Sequence, residues 1–177
     1  MSDTPNTPDN GGAPNASPTN ATGPSFAVLA QYLKDLSFES PRSPDIFQQM
    51  KTPQMEVNVD VNGRAFGTDQ YEVELSVTAK ATHQGESIFI VDATYAGAFE
   101  IKNMPRDQLE ALMLVECPRL LFPFMRQIIA DATRNGNFPP LMLEPIDFMS
   151  IFLANRQQQS AQQGQQTPQP APASENA

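Results

Sequence analysis

Cysteine and histidine each occur once in the 177 residues, as Cys117 and His83. A single cysteine excludes an intrachain disulfide and fits a reducing cytoplasm. A metal site needs several converging ligands. His83 stands alone in an expected turn, so it reads as a solvated loop residue. Cys117 opens an apolar helical stretch with no histidine near it in sequence, so it reads as a buried packing residue, not a reactive thiol. No run of about 18 apolar residues occurs, so no membrane span is expected. The first residues hold neither a basic side chain nor an apolar run, so no secretory signal is expected and the chain reads as cytoplasmic. The glycines are scattered, without a phosphate-cradling loop, and no Gly-x-Ser-x-Gly is present. Nothing positive supports an enzyme, and no cofactor is expected.

Basic charge is also scarce. The chain has 11 Lys and Arg against 20 Asp and Glu. Residues 1–24 are mostly Ser, Thr, Asn, Asp, Pro, Gly and Ala, and residues 157–177 are rich in Gln, Pro and Ala. Neither stretch has enough apolar surface to offset the entropy of ordering it, so both read as disordered tails. One domain over 25–156 remains. It keeps all 11 basic residues and 17 of the acidic ones, a net charge of −6. An acidic domain without a basic cluster is a poor match for nucleic acid. A partner recognised by charge should carry a basic patch.

The clearest positive signal is alternation. Met55, Val57, Val59 and Val61 are apolar while Glu56, Asn58, Asp60 and Asn62 are polar. The pattern returns from Tyr71 to Thr82, and strands with one covered and one wet face follow from it. Asn62-Gly63 and His83-Gln84-Gly85-Glu86 mark turns. A further strand runs from about Ser87 to Ile101, with Phe89, Val91, Ala93, Tyr95, Phe99 and Ile101 on one face and Ile88, Ile90, Asp92 and Thr94 on the other. A first strand lies near Phe26 to Phe38, with Val28, Tyr32, Leu36 and Phe38 on one side. Such strands belong to an antiparallel sheet, four-stranded by this count.

After Met104 the period becomes helical, through Leu109, Leu112 and Met113 and then Leu120, Leu121, Phe124, Met125, Ile128 and Ile129. Pro118 and Pro123 imply two pieces or a kink. The helix should stop near Arg134-Asn135-Gly136, Pro139-Pro140 should hold the chain extended, and a last helix should start near Pro145. The layout is α+β, a sheet followed by helices on one side.

Glu72 and Glu74 fall on the wet strand face and read as solubilising. The apolar residues exceed what one small core needs, which points to an oligomer interface and a binding groove. Two further readings stay open: a carrier for a small lipid-like ligand, and a structural oligomer with no ligand at all.

Several segments resemble one family. Tyr32-Leu33-Lys34-Asp35-Leu36-Ser37-Phe38-Glu39-Ser40-Pro41 resembles the first-strand signature of SecB, the protein-export chaperone. Cys117-Pro118-Arg119-Leu120-Leu121-Phe122-Pro123-Phe124-Met125-Arg126 resembles its helix motif. Gly136-Asn137-Phe138-Pro139-Pro140-Leu141-Met142-Leu143 with Pro145-Ile146-Asp147-Phe148 resembles the connection to its last helix. With Tyr71-Glu72-Val73, the likeness covers nearly all of 25–156. It implies a four-stranded antiparallel sheet with a long kinked helix and a shorter C-terminal helix, assembled as a homotetramer, a dimer of dimers. It implies binding of unfolded preproteins and their delivery to the SecA motor ATPase, without catalysis or cofactor. The positions matching the family's SecA-docking surface are Asp35, Glu39, Ile90 and Asp92, the last where the family often has Glu. For the peptide groove, between sheet, connecting loop and last helix, the choices are Phe47, Tyr71, Phe89, Leu141, Leu143 and Phe152. Phe124 stands where the family often has Tyr.

Overall fold

A computed structural model describes residues 23–48 and 52–163. Four strands, β1 (Ser25–Glu39), β2 (Gln54–Gly67), β3 (Gln70–His83) and β4 (Glu86–Lys102), form one antiparallel sheet in the order β1-β4-β3-β2. A 3₁₀ turn at Asp45–Gln48 follows β1. Helices α1 (Arg106–Ala111), α2 (Cys117–Asn135) and α3 (Phe148–Gln163) come after the sheet. The alternation in β3 works as its period demands. Val73, Leu75, Val77, Ala79 and Ala81 are buried on the inner face. They lie level with β4 residues from Gly97 to Phe89. Leu121, Met125 and Ile129 of α2, all fully buried, join the same core.

Three expectations need correction. Asn62-Gly63 is not a turn. β2 runs straight through it, with Asn62 opposite Glu74 and Gly63 opposite Val73. The turn comes later, at Thr68-Asp69, where Asp69 takes φ 56°. Gly63 serves close approach instead, because a Cβ there would sit 2.6 Å from Met113 Cε. Nor does β1 keep one parity. Its register with β4 shifts between Val28 and Ala30 and between Leu33 and Asp35. Each bulge reverses the alternation. Tyr32 therefore faces outward, opposite Ala96, while Leu36 and Phe38 face inward, opposite Ala93 and Val91. Finally, α3 starts at Phe148 and continues to Gln163, past the boundary placed at 156. Its start is set by Asp147, whose carboxylate accepts the N–H groups of Met149 and Ser150 at 3.1 and 3.2 Å and the Ser150 hydroxyl at 2.7 Å. That hydroxyl, with the backbone donors, holds the Asp147 carboxyl below its ordinary range. Of the tails expected at 1–24 and 157–177, residues 1–22 and 164–177 lie outside the described residues.

The prolines shape the long helix without breaking it. Leu112–Glu116 forms a π turn between α1 and α2, in which the Cys117 N–H reaches the Leu112 carbonyl. Pro118 follows at once. Its ring would crowd the preceding turn and it has no N–H to give, and the wider turn makes room. α2 ends at Asn135, but the left-handed residue is Asn137, with φ 65°, not Gly136 at φ −75°. Gly136 is small for another reason: a Cβ there would lie 2.3 Å from the Phe38 ring.

Candidate functional site

Behind α2 the chain turns along the inner face of the sheet and makes a groove. Thr133, fully buried, fastens this segment. Its hydroxyl accepts the Leu141 N–H at 2.9 Å and itself donates to the Ile129 carbonyl at 3.0 Å. The Phe138 N–H donates to the Thr133 carbonyl at 3.1 Å. Phe138 is thereby pushed into an aromatic cluster, with ring centroids 4.9 Å from Phe89, 5.4 Å from Phe47 and 6.2 Å from Phe38. Over these rings opens an apolar cavity of about 450 Å³, walled by Ile46, Met55, Ile88, Phe89, Pro140 and Leu141 among others. The inner face of β2 continues from its mouth, and Val57 on it is 42% exposed. About eight residues along, a spacing of ~27 Å at ~3.3 Å per residue, a second hollow of about 340 Å³ lies between Asp60–Gly63 and Phe152 and Asn155 of α3.

Phe89, Leu141 and Phe47 thus meet at one cavity or its floor. The other three groove choices do not join them. Leu143 is buried in the core. Tyr71 lies at the opposite end of β3, level with Ala65 and Phe99. Phe152 borders only the second, more polar hollow. Sequence reasoning missed Phe138, Ile46, Ile88 and Met55. An aromatic set just before two prolines was the available signal for Phe138. It also misplaced His83, which lines the apolar cavity and is only half exposed.

The outer face of the sheet is polar. Asp35, Ser37 and Glu39 of β1 lie opposite Thr94, Asp92 and Ile90 of β4, so the four docking positions share this face at adjoining register positions. Asp92 accepts the Thr78 hydroxyl at 2.6 Å. Lys80, exposed and opposite Ile90, puts one positive charge among them.

Further along the same face is a cluster that sequence reasoning undervalued. Glu72 is not a solubilising residue: it is 3% exposed. It accepts hydrogen bonds from Tyr32 and, at 3.2 Å, from Lys34, and it pairs with Arg64. Lys34 also binds Glu74. Ala96 and Ala98 of β4 are small enough to let the β1 side chains cross over to β3. The Tyr32 hydroxyl, then Lys34 and Arg64, hold the Glu72 carboxyl down to about 2 against the opposing effect of burial. The same bond raises the Tyr32 phenol. Cys117 is fully buried, and loss of solvation pushes its thiol up to about 12, as a packing residue requires. Among the described residues no group of three or more His, Cys, Asp or Glu side chains could hold a metal ion. None of their helices is long and apolar enough to cross a membrane.

A sheet with an apolar groove on one face and carboxylates on the other defines a binding protein. The chain matches the family described as preprotein translocase subunit SecB over residues 19–159. It is 50% identical to the protein-export protein SecB of Bartonella quintana over 134 residues, 75% of this chain and 85% of that one. It is 47% identical to the SecB of Xanthobacter autotrophicus over 152 residues, 85% and 95% of the two chains. The chain belongs to the SecB family of protein-export chaperones. Among solved structures its fold is similar to the SecB-like chaperone of Mycobacterium tuberculosis, crystallised with an antitoxin peptide. The TM-score is 0.58 at 18% identity, over 68% of this chain and 90% of that one.

Proposed function

We propose that this chaperone holds extended segments of unfolded preproteins in the groove along β2 and hands them to SecA, which docks on the outer face at Asp35, Glu39, Ile90 and Asp92. The observation that carries the reading is the apolar cavity of about 450 Å³ opening onto the half-covered inner face of β2. A cavity lined by rings and aliphatic chains takes bulky side chains without demanding one sequence. The adjoining strand suits the extended backbone between them. The Mycobacterium tuberculosis relative in complex with a peptide lends the fold a precedent for such use. The carboxylates of the outer face suit a basic segment of SecA. The protein acts in the cytoplasm as a homotetramer, a dimer of dimers, without catalysis or cofactor.

The test mixes the pure protein with a denatured preprotein at stoichiometric ratio and follows refolding and aggregation. Delay of both is expected. A parallel titration with a fatty acid separates the lipid-carrier reading. Unaltered refolding together with tight fatty-acid binding would replace the proposal by that one.

A further inference from the structure

The apolar cavity has one ionisable side chain among its lining residues, His83. It is the last residue of β3, opposite Glu86 across the hairpin, whose turn is made by Gln84 at φ 52° and Gly85 at φ 82°. Among the described residues the charges around it are few. The Glu86 carboxylate is taken by Arg42 from the segment after β1. The cavity walls from the 3₁₀ turn, from β4 and from the Phe138–Leu141 segment contribute only apolar side chains and prolines. From β2 and the residues just before it come Met55, Thr52 and Pro53. Neither ring nitrogen of His83 has a hydrogen-bond or ion-pair partner among the described residues. Among the described lining residues Thr52 offers a hydroxyl, and the half-exposed His83 imidazole is the one side chain at this mouth that can carry a charge.

We propose that His83 is a specificity-determining residue of the groove. It hydrogen-bonds the client next to the side chain that fills the cavity, and it selects which charge stands there. The inference rests on the groove reading above. A neutral imidazole offers one donor and one acceptor, enough to meet any backbone carbonyl or amide. That contact is blind to sequence. A protonated imidazole offers two donors and a positive charge. It then favours a carboxylate beside the apolar anchor and opposes Lys or Arg. The ligand is an extended peptide with an aromatic or long aliphatic anchor and a hydrogen-bond acceptor on the neighbouring residue.

The experiment uses the full chain and two labelled nine-residue peptides, identical except for Asp or Lys beside a central Phe. Binding is read by fluorescence anisotropy at about pH 5.5 and about pH 8, a span in which imidazoles as a class change charge. The preference for the Asp peptide should grow several-fold at the lower pH. His83→Leu, which loses the hydrogen bond to either client, should bind both peptides more weakly and show no such growth. His83→Gln keeps hydrogen-bonding capacity without the charge, and it should hold wild-type affinity at the higher pH with a flat response. The same pH-dependent preference in His83→Leu would overturn the inference alone. Failure of both peptides to bind the wild-type chain would sink the groove reading and this inference with it.

Discussion

Strands β1 and β2 close the two edges of one sheet, and both are largely exposed, yet their apolar residues are placed differently. β1 carries exposed Phe26, Val28, Leu33 and Leu36 on the inner face, opposite Ile101, Phe99, Tyr95 and Ala93, with exposed Leu29 at its first bulge and exposed Tyr32 on the outer face. β2 keeps strict alternation, with Met55 and Val57 toward the groove and Glu56, Asn58 and Asp60 outward. An edge strand with large exposed apolar side chains along most of its length invites permanent cover by another chain. A strand apolar only toward a groove can be covered and uncovered in turn. Near β1 the apolar surface continues onto α2. Leu33 lies opposite Tyr95, and the Tyr95 ring stacks on Phe124 at 5.6 Å. Leu33 is 45% and Phe124 49% exposed. The contrast supports the proposal that β1 with α2 makes the contact between copies and that β2 receives clients.

The largest effect should come from breaking the β1 side. The wild-type chain should weigh four copies of 19.4 kDa by light scattering at micromolar concentration. Leu33→Asp with Phe124→Asp should lower that mass to two copies or one while leaving the far-UV spectrum of the sheet in place, since neither side chain is in the core. Val57→Asp is the counterpart on β2. It should leave the mass alone and weaken client holding. A reversed pattern would exchange the roles of the two edges, and a wild-type mass of one copy would falsify the tetramer.

Next in size is the contrast between the sheet's two faces. Asp92→Lys sets like charge against a basic segment of SecA, so SecA affinity should fall by about tenfold or more at low salt, less at high salt. Client holding should persist, because the groove opens on the other face. The lost Thr78 contact is half-exposed and should cost the sheet little. SecA affinity unchanged at low salt, or equal loss of both bindings with the assembly intact, ends the two-face reading.

Glu72 ties the two edges together, through Tyr32 and Lys34 on β1 and Arg64 on β2. Glu72→Gln should lower stability by about 1–3 kcal/mol, less than a wholly buried pair would, because Lys34 and Arg64 are partly solvated. The pH dependence has a definite sign. The carboxyl is depressed from 4.5 to about 2 on folding, so its contribution is full above about pH 4.5 and is lost as pH falls towards about 2. The difference in urea midpoint between wild type and Glu72→Gln, measured at one protein concentration, should therefore be large at pH 7 and shrink to about a quarter by pH 2.5. A constant difference would mean that Glu72 acts through packing alone.

Much of this was legible in the residues, for reasons that differ by element. β3 and β4 were readable because burial on one face imposes period two, and four strands before the helices was the correct layout. The SecB resemblance placed the loop and the helices. What escaped depended on contacts between distant segments. The bulges of β1 are set by its pairing with β4, so Tyr32 could not be assigned to a face from its own neighbours. Glu72 looked wet because alternation gives the face of a residue but not what lies across it. The tight partners of Gly63, Met113 and Leu114, are fifty and more residues downstream, so Asn62-Gly63 read as a turn. Of the six groove choices, Phe89, Leu141 and Phe47 come together, whereas Tyr71 lies at the other end of β3 from the cavity.

The smallest expected effect compares two glycines that both serve close approach. An added Cβ at Gly63 meets the Met113 methyl at 2.6 Å, the far end of a flexible side chain that can swing aside. An added Cβ at Gly136 meets two atoms of the Phe38 ring at 2.3 and 2.5 Å. That ring is held between Phe89 and Phe138, at 5.8 and 6.2 Å, and has no free direction. The backbone of neither residue is left-handed, so strain from the conformation itself does not enter. Overpacking a fixed ring costs about 1–3 kcal/mol, and Gly136→Ala should show a loss in that range. Gly63→Ala should lose under about 1 kcal/mol, since removing a strand glycine also restricts the unfolded chain and offsets part of the clash. Because the Phe38 ring packs against Phe89 and Phe138, which line the cavity, Gly136→Ala should also weaken client holding, and Gly63→Ala should not. Equal destabilisation by the two substitutions in urea unfolding would show that the Phe38 ring yields as readily as the Met113 methyl.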